Sequence, residues 1–386
     1  MIIGIPKEIL ERERRVSALP ENVATYVKMG FEVLVQATAG KGAFRSDDDY
    51  REAGATIVDD AEELFSRSDV ILKVKQPYLN RQVGKHEADM IPEGKTLITF
   101  IHPATPSNHD MVKKLRDRRI TALTMDSIPR TSRAQSMDCL TAMSTVSGYK
   151  AMLLAACHLP VFVPMMGTAV GVLPSAKVLA VGVGVVGLQV IATAKRLGAE
   201  IKAVDIRQDA RMGAQSLGAK VAGFEVPDEI ALGEGGYAKA LSEEWIQKER
   251  DLLVPLVAEA DVVVLSALVP GEAAPVLVTE EMVSTMKPGS ALMDISIDQG
   301  GNCALTRMGE EFYHGDVLVS GLANIPGSVP VHSTWMYAHS LEAYVKNLFK
   351  AGPDTMDLED DIVQYSMVTH AGEIVHEGTL KAMNLA

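Results

Sequence analysis

The run KVLAVGVGVVGLQVIATAKRLGAEIKAVD, from Lys177 to Asp205, restricts the fold of this chain more than any other stretch. Val178 to Val181 is a short apolar segment bounded by glycine, the pattern of a buried strand. Gly182-Val183-Gly184-Val185-Val186-Gly187 follows as a G-x-G-x-x-G turn, then a helical segment from Leu188 to Leu197. A second strand, Ile201 to Val204, ends on Asp205. Gly182 permits the tight turn, Gly184 lets a pyrophosphate approach the backbone, and Gly187 lets the helix pack on the strand. The helix N-terminus turns free N–H groups and a positive dipole end toward the phosphates. Asp205 stands where a carboxylate accepts both ribose hydroxyls of an adenosine and repels a 2′-phosphate, which favours NAD over NADP. Arg207, two residues on, works against that preference. The plain alternative is a glycine-rich turn in an ordinary α/β core, but strand, helix and acid all stand at the offsets a dinucleotide site requires.

With 386 residues the chain has room for about two domains and a substantial core. Its net charge of −13 argues against a nucleic-acid or anionic-membrane surface. Cys139, Cys157 and Cys303 have no C-x-x-C or ligand spacing, so reduced thiols in a cytosolic protein and no metal site are expected. Lys7, Glu8 and Glu11 interrupt the start too early for a signal peptide. Ala151 to Ala176 carries no formal charge, but Pro160, Pro164 and Pro174 break it. A helix end and a loop are expected there, not a membrane span of about 20 residues.

Strand-like runs at Ile2–Ile5, Phe31–Val35, Val70–Val74, Thr96–Ile101 and Ile120–Leu123 alternate with amphipathic segments Glu21–Met29, Asp60–Ser66 and Asp110–Arg118. That alternation predicts a parallel sheet with helices on both faces. The spacing of Leu140, Met143, Val146, Tyr149, Leu153 and Ala156 predicts one long helix over Gln135–His158, joining this unit to the next. Further strands are expected at Val262–Ser266, Ser290–Ile295 and Val317–Ser320, with a helical tail, Thr334–Phe349, returning to the first unit. The α/β fold class is thus two Rossmann-like, doubly wound parallel-sheet domains joined by long helices, with a cleft between them. Residues 1–134 with 331–386 form the first and 135–330 the second. A polar insertion at about 225–250 carries Gly233, Gly235 and Gly236, which predict a mobile loop with Tyr237 at its tip.

Two further groups carry chemistry. Arg15, Lys75 and His102 follow strands of the first unit, and Asp298 follows one of the second, at the edge where open α/β sheets bind ligands. Two cations for a carboxylate, an imidazole for proton transfer and an acid to orient it suit amino-acid/keto-acid redox chemistry. Singly, each is an ordinary structural residue; their joint placement at strand ends makes the set a candidate. The second group, Arg130 to Asp138, puts Gln135 and Asp138 at i and i+3 on the first turn of the long helix, where they share a face, with Arg130 and Gln135 as donors for an amide or phosphate. Asp138 at a helix start is favoured with no ligand, and Ser132 or Ser136 suits an N-cap.

Four runs carry a family resemblance: MDSIPRTSRAQSMDCLTAMSTVSGYKA, VGVGVVGLQVIATAKRLGA with AVDIR, GEGGYAKALSEE, and SALVPGEAAPVLVTEEMVSTMKPGS. Nearly end to end the chain resembles the alanine dehydrogenase/pyridine nucleotide transhydrogenase family. The first and third runs are specific to its transhydrogenase branch, whose soluble part binds NAD(H). The resemblance implies an Arg130–Gln135–Asp138 loop beside the nicotinamide, with Thr141 where the family has Ser. It implies that Gly182, Gly184, Val185, Gly187, Asp205, Ile206, Arg207 and Leu268 line the cofactor, and that Gly236 and Tyr237 fold over it. Arg15, Lys75, His102 and Asp298, with ANIPGSVPVHST at Ala323–Thr334, resemble the alanine dehydrogenase branch instead.

The transhydrogenase resemblance implies hydride transfer from NADH to NADP on a partner subunit. It also implies membrane-spanning partners that couple the transfer to proton movement and bring this chain to the inner membrane, and a homodimer. Under the dehydrogenase resemblance the chain oxidises alanine or a related L-amino acid to a 2-oxo acid. There Arg15 and Lys75 hold the substrate, His102 moves the proton and Asp298 assists at the amine. A redox-sensing NAD-binding module is a third reading, because all three need the same nucleotide fold.

Overall fold

The computed structural model describes residues 1–233, 238–269 and 273–385. They divide into two compact units, 1–143 with 326–386 and 144–325.

In the first unit, eight strands lie in the order Glu373–Ile374, Met367–His370, Thr121–Thr124, Thr96–Thr99, Val70–Leu72, Ile2–Ile5, Glu32–Gln36, Thr56–Val58. Six run parallel, and the two from the tail pair antiparallel at one edge. Counted along the chain, the parallel strands have the doubly wound order 3-2-1-4-5-6. Leu34, Ile71, Leu97 and Ala122 face helices Ala61–Arg67 and His109–Asp117 in one buried cluster, so the apolar runs read from sequence do form the central strands.

The second unit repeats that order with Lys220–Val221, Glu200–Val204, Lys177–Val181, Val262–Leu265, Ala291–Asp294 and Val317–Ser320, then adds an antiparallel edge strand, Glu311–His314. Two cores sandwich its sheet. One holds Val178, Ala180, Val190, Ile191 and Ala203; the other holds Leu179, Val181, Leu253, Val257 and Leu265. The odd and even residues of the first strand thus point into opposite cores, as a strand covered on both faces requires.

Several expectations need correction. The sheets are mixed at their edges, because tail strands and a hairpin add antiparallel neighbours that strand–helix alternation does not reveal. The long helix does not begin at Gln135. Gln135–Met137 is a separate 3₁₀ turn, Asp138 breaks the path with ψ near 83°, and the helix runs Cys139–His158. Gln135 and Asp138 therefore do not share a helical face. Asp138 caps this helix, its carboxylate accepting from the Thr141 N–H at 2.8 Å and from the Thr141 hydroxyl at 2.6 Å. Neither Ser132 nor Ser136 has that role. Leu140 and Tyr149 are exposed whereas Met143, Met152 and Ala155 are buried. Apolar residues surround the helix, so their spacing could not pick its inner face. The uncharged stretch after it forms a hairpin, Met166–Thr168 against Gly171–Leu173, and no described helix is long and apolar enough to cross a membrane.

Candidate functional site

In the second unit, the strand Lys177–Val181 delivers the chain into the glycine turn, and helix Val185–Arg196 leaves it. Gly182 takes φ +80°, and a Cβ there would lie 2.6 Å from the Ala267 nitrogen. A Cβ on Gly187 would lie 2.2 Å from the Gly182 carbonyl oxygen, a backbone atom with no room to give. Among the described residues only the Arg207 guanidinium comes as near as 4.0 Å to a Cβ placed on Gly184, so these residues leave the helix start an open face. Val185 opens that helix with its backbone N–H among the unpaired donors of the first turn. The Ser266 hydroxyl donates to Gly182 O at 2.8 Å and ties the turn to the neighbouring strand.

Asp205 closes this pocket and is nearly buried. Its Oδ2 accepts from the Val183 N–H at 2.6 Å and its Oδ1 from the Arg207 N–H at 2.8 Å. The Arg207 guanidinium adds a bond to each oxygen, at 3.2 and 3.1 Å. Ile206 packs in a satellite cluster with Phe224 and Trp245 from the insertion. Glu249, on helix Glu243–Glu259, is buried, and burial together with the Asp205 charge pushes its carboxyl up to about 7. Leu268 is exposed on the loop after Val262–Leu265, and Asp298 is exposed in the short turn Ile297–Gln299. Gly236 and Tyr237 lie outside the described residues.

In the first unit, charged residues gather where the parallel strands end. Arg15 is buried and donates through Nε to Glu13 at 2.8 Å and through Nη1 toward Met143 sulfur at 2.9 Å. Burial pushes the Glu13 carboxyl up, but Arg15, with Lys75 nearby, overcomes that and brings it down to about 2. The cation expected to await a substrate is thus already matched by an acid. Lys73 is fully buried between Glu8 and Glu87, at 3.3 and 3.0 Å. Lys75, two residues on, is half-buried.

His102 follows Thr96–Thr99 in a left-handed conformation, φ +49°, which a non-glycine residue keeps only where its surroundings hold it. Its ring stacks on Phe100 at 5.7 Å. Asp126, after Thr121–Thr124, faces it. Asp126 Oδ2 accepts from the N–H groups of Ile101 and His102 and from the Thr124 hydroxyl. Oδ1 lies 2.7 Å from His102 Nδ1. That oxygen makes no well-aligned hydrogen bond. Burial raises the Asp126 carboxyl, and His102 with the other donors outweighs it, giving about 2. His102 Nε2 has no protein partner among the described residues, and the side chain is 35% exposed.

Arg130 and Gln135 are exposed on the loop between Thr124 and the cap Asp138. Arg15, Lys75, His102, Arg130, Gln135, Asp138 and Thr141 all belong to the first unit; the glycine turn, Asp205, Leu268 and Asp298 belong to the second. Reasoning from sequence missed Glu13, Asp126 and Glu249. Asp126 was within reach of the strand-end rule, since it follows its strand just as His102 does. The pairing of Glu13 with Arg15 and the burial of Glu249 leave no such mark.

Two family models match the chain: the alanine dehydrogenase/PNT N-terminal domain over residues 4–147 and the C-terminal domain over 151–377. An NAD(P) transhydrogenase subunit alpha chain of Rhodospirillum rubrum is 41% identical, over 97% of this chain and 98% of that one. An alanine dehydrogenase of Methanococcus maripaludis is 31% identical, over 100% and 97%. Among solved structures, a transhydrogenase from Sinorhizobium meliloti superposes with a TM-score of 0.83 at 34% identity, over 97% of this chain and 100% of that one. An L-alanine dehydrogenase reaches 0.81 at 28%, over the whole of both chains. Sequence identity is thus higher to the transhydrogenase chains, while the fold is shared with both.

Proposed function

This chain belongs to the alanine dehydrogenase/PNT family, and from that premise we propose that it is the NAD(H)-binding component of an NAD(P) transhydrogenase. The observation that carries the reading is the 41% identity to a transhydrogenase alpha chain along nearly the whole length of both. The residues suit a dinucleotide: a turn with an open face at Gly184, unpaired helix N–H groups behind it, and a carboxylate at Asp205 for a ribose diol. NADH, when bound, supplies the hydride. The protein's own role is to hold the adenosine end at Asp205 and to present the nicotinamide beside Arg130, Gln135 and Asp138. Transfer to NADP on a partner subunit is then a matter of proximity and ring orientation, with no side chain exchanging a proton. Membrane-bound partner subunits would couple the transfer to proton movement. Two copies of this chain would pair through the exposed apolar hairpin, which offers Val170, Val172 and Leu173.

A second reading is favoured by one specific observation, the strained His102 held against Asp126 with Nε2 open. An imidazole so oriented is a proton acceptor, which hydride exchange between two nicotinamides does not use. It fits oxidation of an L-amino acid by NAD, with Lys75 and Arg15 at the carboxylate and Asp298 at the amine.

One pair of assays separates the readings. The purified chain is given NAD⁺ and a panel of L-amino acids while absorbance at 340 nm is followed, then NADH with an NADP-binding partner subunit. Transfer with the partner and silence with amino acids are the expected results. Amino-acid turnover that disappears in His102→Ala would overturn the transhydrogenase reading.

A further inference from the structure

Asp205 cannot take a ribose diol in the arrangement observed. An ionised carboxylate offers about four acceptor positions. Four N–H donors already fill them: those of Val183 and Arg207 from the backbone, and Nε and Nη2 of Arg207 from its side chain. The same guanidinium stands 4.0 Å from the position a Cβ would take on Gly184, at the edge of the open face of the phosphate turn. One side chain therefore fills the diol acceptor and borders the phosphate turn.

We infer that Arg207 is the resident occupant of the adenosine-ribose subsite, displaced by the diol and re-paired with the diphosphate when a nucleotide enters. The inference rests on the dinucleotide reading of this pocket. The two backbone donors are fixed by the turn and stay on Asp205, whereas the guanidinium can rotate away and free one acceptor position on each oxygen for a ribose hydroxyl. The backbone beneath it does not have to move, because Arg211 donates to the carbonyls of Asp205, Ile206 and Phe224 at 3.1, 2.8 and 3.2 Å and pins that loop. Arg211 is thereby engaged elsewhere. Among the described residues, Asp209 and Glu249 are other charged groups that bear on the pair, and both are acids. Arg207 is thus the cation that serves Asp205 until a nucleotide displaces it, and its guanidinium already lies beside the Gly184 turn where a diphosphate would sit. Because the countercharge travels with the exchange, the carboxylate is neutralised before binding and the phosphates after it.

Two probes separate these roles. Adenosine has the diol and no phosphate; ADP-ribose has both. Binding of each, and of NADH, is measured by calorimetry on the full chain, its Arg207→Met and its Arg207→Gln variants. Both variants keep the backbone N–H of residue 207, and thermal unfolding checks that each is folded. Removing the competitor should tighten adenosine binding several-fold, while loss of the phosphate partner should shrink the advantage of ADP-ribose over adenosine by about tenfold, the worth of roughly one charge-assisted hydrogen bond. Weaker adenosine binding in both folded variants, or no change with either probe, would overturn the inference. Failure of the unaltered chain to bind NADH or ADP-ribose would instead remove the dinucleotide reading beneath it.

Discussion

The two sheets share one strand order, yet the strand ends of each are equipped for different work. In the second unit the edge is made of backbone: two glycines that no Cβ could replace, a helix start and one carboxylate. In the first unit it is made of side-chain charge, each base packed against acid: Arg15 with Glu13, Lys73 with Glu8 and Glu87, His102 with Asp126. The doubly wound topology only supplies an edge where ligands bind; what fills that edge decides whether it grips phosphate or moves protons.

Steric damage to the backbone edge should be the most severe. Gly187→Val would drive a side chain into the Gly182 carbonyl, costing about 3 kcal/mol or more and abolishing NADH binding. Calorimetry and thermal unfolding check it; a stable variant with intact affinity would mean that the turn is not rigid. Next in size, Asp205→Ala should weaken NADH about 30-fold through the lost diol contacts. Unchanged affinity would mean that the ribose sits elsewhere.

Acid should act with opposite sign on the buried carboxyls named above. Glu13 and Asp126 are held at about 2, below their unfolded values of about 4, so each stabilises the first unit above pH ~4 and that contribution is lost as pH falls toward 2. It is on the order of 2 kcal/mol apiece. Glu249 is raised to about 7, the opposite case: its burial is tolerated at low pH and increasingly costs stability as pH rises from about 4 to 7. Glu249→Gln should therefore stabilise the second unit by about 1–2 kcal/mol at pH 8 and by almost nothing at pH 4. Denaturant unfolding at the two pH values reads this directly, and an equal gain at both would refute the buried charge. The smallest effect on the fold itself is expected from Val172→Asp on the exposed hairpin, which should leave thermal stability within about 0.5 kcal/mol but convert a dimer to a monomer in light scattering.

Much of this was legible in the residues. Val178–Val181, the glycines after it and Asp205 declare their geometry, because a phosphate turn admits so few alternatives. Central strands such as Ile2–Ile5 are marked by apolar runs. The break before Cys139 was hidden, because a capping carboxylate and a helical residue look alike until the backbone is seen. Thr56–Val58 and Met367–His370 are too short, and the latter too far along the chain, to announce their places in the first sheet. The Arg207 contact to Asp205 was hidden for another reason. Its sequence position suggested a bias in cofactor choice, whereas the geometry makes it a bond to the very acid it follows.

The most direct test is a calorimetric titration of the full chain with NADH. A saturable heat that falls sharply in Asp205→Ala is the expected result. A flat trace with both NADH and NAD⁺ would contradict the account, whatever redox chemistry the first unit supports.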